Sequence, residues 1–100
     1  MVTHRITPVH PGFYLMELLG ELKIPQCRLA QVLGVPVTRI NHVVHGKRPV
    51  TADIALRLGR YFGQNPRYWM NLQSRYDMDI AEDLLSEQVA REIRPLTVAL

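Results

Sequence analysis

The side chains best suited to chemistry lie in one short stretch, GVPVTRINHVVHGKRPV, which runs from Gly34 to Val50. Its apolar residues recur at the spacing of a helix, and a basic Gly-Lys-Arg sequence follows them. Its polar side chains provide a hydroxyl, an amide, two imidazoles and three cations. These belong to Thr38, to Asn41, to His42 and His45, and to Arg39, Lys47 and Arg48. No carboxylate occurs from residue 22 to residue 52. Donors and cations without acids are suited to binding a polyanion, because a carboxylate would repel it.

Helical spacing recurs along the rest of the chain, and no useful strand-like alternation is present, so we predict an all-α fold. The predicted helices are Pro11–Leu22, a second from near Pro25 to Gly34, a third from near Pro36 to Gly46, a fourth from the N-cap Thr51 to Gly63, and a fifth that opens at Asn65 and Pro66. The pattern weakens from Ile80 to Val89, where the fifth helix continues or a sixth begins.

A chain of 100 residues fits a single domain. We place its core at about residues 9–85 and a C-terminal tail, available to a dimer, at residues 86–100. Pro95 ends any helix, and the structure of residues 94–100 is left open. The apolar stripes predicted to face the core consist of Leu15, Leu18, Leu19 and Leu22 on the first helix, Ile54, Ala55, Leu58, Tyr61 and Phe62 on the fourth, and Trp69, Leu72 and Tyr76 on the fifth.

The second and third helices have the spacing of a helix-turn-helix, and each position has a steric reason. Ala30 is small where the two helices cross. Gly34 lets the chain reverse within a few residues. Ile40 then fills the gap between the helices. The remaining inward positions are occupied by Leu29, Leu33 and Val43.

The outward face of the third helix follows from its inward face. With Ile40 and Val43 pointing inward, the outward side chains are Val37, Thr38, Asn41, His42 and His45. In a helix-turn-helix this face enters the DNA major groove, where hydroxyl, amide and imidazole groups read base edges and a valine can meet a thymine methyl. The alternative is an ordinary polar helix face, although such faces usually mix both signs of charge.

Four further residues flank this face. Gln26, at the start of the second helix, and the pair Lys47 and Arg48, after the third, are expected to point at the phosphate backbone. Arg39 could reach either a base or a phosphate.

Charge is distributed unevenly along the chain. Residues 1–76 hold ten Lys or Arg and three Asp or Glu, a net +7, whereas residues 77–100 hold two Arg and six acids, a net −4. We interpret this as a basic working surface and an acidic tail with a different role. Two solvated faces without a partner are the alternative.

The cysteine content and the N-terminus bear on the compartment. Cys27 is the only cysteine, which excludes an intrachain disulfide and is typical of a reducing environment. The first residues lack the apolar run of a signal peptide, and no stretch is long enough to cross a membrane. We therefore expect a cytoplasmic protein without a membrane partner.

Other groupings of reactive side chains were weighed and rejected. His42 and His45 have a spacing that suits two metal ligands, but no third ligand lies nearby in sequence. Cys27 lies at a helix start, where a thiol pKa can fall, but it has no base beside it. The acids Asp77, Asp79, Glu82 and Asp83 spread over more than one helix face and suit a solvated or protein-binding surface better. We expect no metal, no cofactor and no catalytic site.

Three segments resemble a known family: HPGFYLMELL, LAQVLGVPVTRINHVVHGKRPVTADIALRLGRYFG and NPRYWMNLQSRYDMDIAEDLL. They look like the HigA-type antitoxins, in the XRE group of repressors. The resemblance covers about Val9 to Leu85. Within it, TADIALRL and YWMNLQ are typical of this family rather than of helix-turn-helix proteins in general.

The resemblance implies a phage-repressor-like bundle of five helices and a homodimer bound to a palindromic operator. It also implies a HigB-type toxin as partner, a ribosome-dependent ribonuclease encoded beside the antitoxin. The family's DNA-facing positions fall here on Gln26, Val37, Thr38, Arg39, His42 and the segment His45–Arg48. Pro25 and Pro36 depart from the family pattern, since serine is common there as an N-cap. Val37 stands where many repressors have a polar residue that reads a base, so the base preference of the family is not carried over to this chain.

Taken together, the residues and the resemblance predict a sequence-specific DNA-binding repressor that neutralises a toxin and regulates its own operon. A solitary XRE-type regulator without a toxin partner is the alternative. An enzyme is rejected, because the sequence has no phosphate loop, no nucleophile elbow and no paired catalytic acids.

Overall fold

The computed structural model describes residues 7–97, and these form five helices. They are α1 (Pro11–Leu22), α2 (Gln26–Leu33), α3 (Val37–Val44), α4 (Ala52–Phe62) and α5 (Pro66–Glu92). Residues 7–97 contain no strand, so the predicted all-α fold with five helices is confirmed. Helix α5 runs unbroken through Ile80 and Val89, and no sixth helix begins there. The first six residues and the last three of the predicted tail lie outside the described range.

The helix starts follow local side-chain chemistry. The Thr51 hydroxyl accepts a hydrogen bond from a backbone N–H in the first turn of α4 at 3.3 Å. The Asn65 carboxamide oxygen does the same for α5 at 3.0 Å, with Pro66 in the first turn. Both predicted caps are confirmed. Helices α2 and α3 instead follow Pro25 and Pro36, which have extended backbones and supply no side-chain cap.

The turn between α2 and α3 depends on one glycine. Gly34 has φ 71°, in the left-handed region that favours glycine. The Val35 N–H then donates to the Ala30 carbonyl at 3.1 Å, which closes the end of α2. Helix α3 begins directly afterwards, and its Ile40 is fully buried between the helices. The predicted helix-turn-helix is therefore present.

A single core joins α1, α2, α3, α4 and the first part of α5. Its buried apolar residues are Leu15, Leu19, Leu29, Ala30, Leu33, Ile40, Val43, Val44, Val50, Ile54, Ala55, Leu58 and Trp69. Trp69 fixes α5 to the bundle, and its indole N–H donates to the Gln64 side chain at 2.8 Å. Beyond residue 81, every described residue is exposed. Helix α5 therefore leaves the bundle well before it ends.

Two residues of the predicted apolar stripes are exposed, so that part of the prediction was wrong. Leu22 is 51% exposed because it is the last residue of α1 and lies beyond the turns that are buried. Tyr61 is 42% exposed because Phe62 takes the more inward position beside it. The two rings lie edge to face, with centroids 5.1 Å apart, at the rim of the bundle.

The packing of α1 against α3 leaves no room for a side chain at Gly12. A Cβ atom built on this residue would overlap the Val43 carbonyl oxygen and lie 3.0 Å from the Val44 Cα. Both are backbone atoms, so they cannot rotate away. Because this contact depends on a glycine, the start of α1 sets the position of α3.

Replacement of Gly12 by alanine should lower the free energy of unfolding by about 1–3 kcal/mol, because it overpacks a backbone contact. Gly20 is the matched control: it lies on the same helix, and a Cβ there meets nothing within 4 Å. Gly20→Ala should stabilise the protein by about 0.5–1 kcal/mol through helix propensity. Urea unfolding followed by circular dichroism measures both. Equal effects of the two substitutions would show that the α1–α3 contact is not tight.

Candidate nucleic-acid interface

The outward face of α3 has the composition that was predicted from the sequence. Ile40 and Val43 are buried, 0% and 1% exposed. Val37 and Thr38 are exposed at the start of the helix. On the same outward side, Asn41 and His42 are half-buried and His45 is exposed. These side chains share one surface, together with Lys47 and Arg48.

An amide pair links α2 to the middle of α3. The Asn41 side-chain NH2 donates to the Gln26 carboxamide oxygen at 3.2 Å. This bond uses one polar group of each amide, so Gln26 keeps its NH2 group and Asn41 its oxygen for a further partner. An amide NH2 and an amide oxygen are the groups with which asparagine or glutamine pairs with adenine in the major groove. Gln26 therefore lies against Asn41 of α3, and its contact with the DNA backbone stays a prediction.

The two histidines of α3 differ in their surroundings. His45 Nδ1 lies 2.9 Å from the Asn41 carbonyl oxygen. A ring nitrogen at that distance from a carbonyl must donate, so the neutral ring presents Nε2 as an acceptor. Among residues 7–97, no three His, Cys, Asp or Glu side chains come together as a metal site requires. The His45 ring therefore takes part in hydrogen bonding at the end of α3.

The two cations after α3 are placed by backbone hydrogen bonds. The Lys47 and Arg48 N–H groups both donate to the His42 carbonyl, at 2.8 and 3.2 Å. Gly46 takes φ 71° in the turn that precedes them. Both side chains are exposed. The turn thus holds two cations at the C-terminal end of α3.

Gln73 of α5 anchors the loop that follows these cations, and the sequence reasoning missed it. Val50, at the end of the loop, is buried, and its N–H donates to the Gln73 side-chain oxygen at 2.8 Å. The Gln73 NH2 donates in turn to Asp77 at 2.9 Å. The available signal was a glutamine four residues after Trp69, on the inward stripe of α5. A buried polar residue at such a position needs partners.

His10 ties the start of α1 to the same loop, and it was also missed. Its Nδ1 accepts from the Gly12 N–H at 2.9 Å, which caps α1. Its ring also bonds the backbone of Arg48 and lies edge to face on Tyr76, with centroids 5.0 Å apart. Burial lowers the pKa of His10, against smaller opposing effects of the Arg48 backbone and of Asp77. Histidine is not among the usual N-caps, which is why sequence reasoning passed over it.

Arg39 makes bonds within the protein, whereas the sequence left it free to reach a base or a phosphate. Its guanidinium lies 3.3 Å from an Asp53 oxygen and donates to the Thr51 hydroxyl at 3.1 Å. Arg57 binds the other Asp53 oxygen at 2.7 Å and the Leu33 carbonyl at 2.8 Å. The hydrogen bond from Arg57, together with its charge and with the hydrogen bond and charge of Arg39, lowers the pKa of Asp53 against a smaller opposing effect of desolvation. Asp53 is thus a negative charge at the edge of the basic surface.

A helix-turn-helix whose second helix exposes hydrogen-bonding groups, flanked by cations, defines a class of DNA-binding proteins. The helix-turn-helix family model matches residues 15–69 of this chain. Two solved structures are similar over most of their length. One is an addiction-module antidote protein of the HigA family from Coxiella burnetii: identity is 39%, the TM-score is 0.88, and the match covers 91% of this chain and 100% of that one.

The other is the Pseudomonas aeruginosa antitoxin HigA, solved with the higBA promoter: identity is 42%, the TM-score is 0.85, and the match covers 89% of this chain and 98% of that one. Virulence-associated protein I of Dichelobacter nodosus is 44% identical over 75 residues, which are 74% of this chain and 69% of that protein. The chain therefore belongs to the helix-turn-helix family and, within it, to the HigA antitoxins, and it is not an enzyme.

None of the helices within residues 7–97 combines the length and the apolar character that crossing a membrane requires.

The contacts of His10 predict how the stability of the protein depends on pH. The ordinary pKa of histidine is 6.5, and that of His10 is lower in the folded protein. The folded state therefore binds fewer protons at this ring than the unfolded chain does. Neutral His10 makes its full contribution to the free energy of unfolding above about pH 6.5. This contribution is lost as the pH falls from there towards the lowered pKa.

His10→Asn keeps a capping oxygen but removes the titrating ring. The free energy of unfolding should then decline less between about pH 7 and pH 5 than it does in the wild type, whatever the change in absolute stability. Urea unfolding at several pH values gives both slopes. Parallel curves would show that His10 is not responsible for the pH dependence.

Proposed function

We propose that this protein represses its own operon by binding operator DNA through α3, and that it neutralises a HigB-type ribonuclease toxin in the cytoplasm. The proposal of DNA binding rests on the composition of the α3 surface. Hydrogen-bonding groups lie in its middle and cations at its edge, and no acid occurs from residue 22 to residue 52. The Pseudomonas aeruginosa relative was solved with the promoter of its own operon, which supports the same role here.

The residues proposed to contact DNA fall into two groups. Those that face base edges are Val37, Thr38, Asn41, His42 and His45, with Gln26 held against them by its bond to Asn41. Lys47 and Arg48 contact phosphates, because they lie beyond the helix end on a fixed turn. Arg39 belongs to the same surface but shares its charge with Asp53.

The protein is proposed to act as a homodimer. One reading helix of eight residues offers too few contacts for specific binding, and a palindromic operator requires two copies about 34–36 Å apart. Helix α5 provides a surface for the second copy. Along its exposed half, Met78, Ala81, Leu85 and Val89 recur at helical spacing and form one apolar stripe. An exposed helix of this kind is stabilised when a partner covers its apolar side.

The acids of α5 are proposed to bind the toxin. A ribonuclease must hold RNA phosphates, so a basic toxin surface is expected, and opposite charge favours docking on Asp77, Asp79, Glu82, Asp83 and Glu87. Asp79, Asp83 and Glu87 are spaced by four residues and therefore form a stripe, nearly opposite to the apolar one. Toxin and second copy then use different sides of α5, and α3 stays available to DNA.

Base reading and phosphate binding predict different effects of mutation. Thr38→Ala and His42→Ala should each reduce the discrimination between operator and random duplex by about 1–3 kcal/mol. Lys47→Ala and Arg48→Ala should weaken binding to both duplexes alike. Each should also reduce the slope of log affinity against log salt concentration by roughly one.

Fluorescence anisotropy titrations on both duplexes at several salt concentrations separate the two groups. The reading role of α3 would be refuted by variants of Thr38 and His42 that keep the wild-type ratio of affinities. A loss confined to the operator for Lys47 or Arg48 would make that residue a reader.

The two stripes of α5 predict that toxin binding and dimer formation can be removed separately. Reversing Asp79, Asp83 and Glu87 to lysine should abolish toxin binding and leave a dimer that still binds the operator. Replacing Leu85 and Val89 by aspartate should give a monomer with weakened operator binding. Leu96→Asp is the control, since Leu96 is 85% exposed and lies beyond the helix.

Sedimentation measures the oligomeric state, and pull-down with the toxin encoded beside this chain measures toxin binding. Unchanged toxin binding by the folded triple variant would exclude the acidic stripe as the docking surface. Without a neighbouring toxin gene, the solitary regulator would be the correct function.

A further inference from the structure

The contact between Arg39 and Asp53 places a negative charge against the reading helix. Arg39 is a cation of α3, yet its guanidinium is bonded to Asp53 and Thr51, both at the start of α4. Asp53 is also the first acid after the acid-free stretch. This arrangement shields one cation of the basic surface while Lys47 and Arg48 remain exposed.

Stability is a weak explanation for this contact. The side chains of Arg39 and Asp53 are 29% and 50% exposed, and ion pairs of that exposure contribute little to folding. The positions of α3 and α4 are already set by fully buried apolar residues, among them Ile40 and Ile54. A contribution to folding therefore does not account for the pair.

We propose that Asp53 limits affinity for DNA of any sequence by holding Arg39 away from phosphate, so that the preference for the operator is left to the base-reading groups of α3. This inference rests on the proposed DNA-binding function. Asp53 is a positioning residue here, since it acts through Arg39 and not on DNA itself.

The physical reason is that arginine binds phosphate on any sequence. Each phosphate that a cation neutralises raises affinity for all DNA and carries no sequence information. An unpaired Arg39 would add one such contact to the operator and to random DNA alike. Arg57 would be released less than Arg39 when Asp53 is removed, because its second bond goes to the Leu33 carbonyl at 2.8 Å, whereas that of Arg39 goes to the Thr51 hydroxyl at 3.1 Å.

The test compares Asp53→Asn with the wild type on a random duplex and on the operator, over a series of salt concentrations. Asparagine keeps the shape and removes the charge. Affinity for random DNA should rise about 3–10-fold, and its salt dependence should steepen by roughly one ion. Operator affinity should rise by the same factor, so the ratio of the two affinities stays as it is in the wild type.

Two further variants separate Arg39 from a general charge effect. Glu21→Gln changes the net charge by the same amount on the exposed side of α1 and should leave the affinity for random DNA and its salt dependence nearly unchanged. In an Arg39→Gln background, Asp53→Asn should have no further effect on random DNA. An equal effect in both backgrounds would overturn the proposal, and so would unchanged or weaker binding of random DNA by Asp53→Asn.

Arg39→Gln alone decides the matter if Asp53→Asn does not fold. An arginine held off phosphate can be removed without changing the salt dependence on random DNA, whereas a phosphate contact would cost roughly one ion. The proposed function is tested separately by the operator preference of the wild type. A wild type without that preference would refute the function, and the result on random DNA would still decide the role of Asp53.

Discussion

Helix α3 has only eight residues, and a helix of that length is not stable in water by itself. Its shape and position are therefore imposed by its neighbours. Ile40 and Val43 are buried and fix its inward side, while the backbone of α1 at Gly12 lies directly against it. Gln26 of α2 and Asp53 of α4 bond its polar side chains. A helix held on every other side cannot rotate, so its outward groups are presented in one orientation, which is what base reading requires.

The loop after α3 is also fixed by contacts with other parts of the bundle. Its cations are exposed, but its backbone is bonded to α3, its end at Val50 is buried, and Gln73 and His10 attach it to α5 and α1. Charge is then divided along the chain: the helix-turn-helix is basic, whereas α5 becomes acidic where it leaves the bundle. In the function proposed above, DNA and a basic toxin use separate surfaces of one small domain, because neither partner is attracted to the surface of the other.

The fold was largely predictable from the sequence, because helix boundaries depend on local chemistry. Thr51 and Asn65 cap helices through bonds to residues two or three positions away, so the sequence alone located them. The residues that hold the interface were not predictable in this way. Gln73 bonds a backbone N–H that lies 23 residues away, and Asp53 binds a guanidinium 14 residues away. His10 likewise contacts a loop that only the folded chain brings to it. The composition of the reading face was visible in the sequence, but its supports depend on tertiary contacts.

The central claim is that α3, held rigidly by the bundle, is the surface that meets operator DNA. Chemical-shift mapping of the backbone amides during titration with an operator duplex tests this most directly. We expect the largest shifts at Gln26 and over residues 37–48, with smaller ones over residues 82–92, where α5 has left the bundle. Shifts concentrated in α5, with α3 unchanged, would contradict the claim.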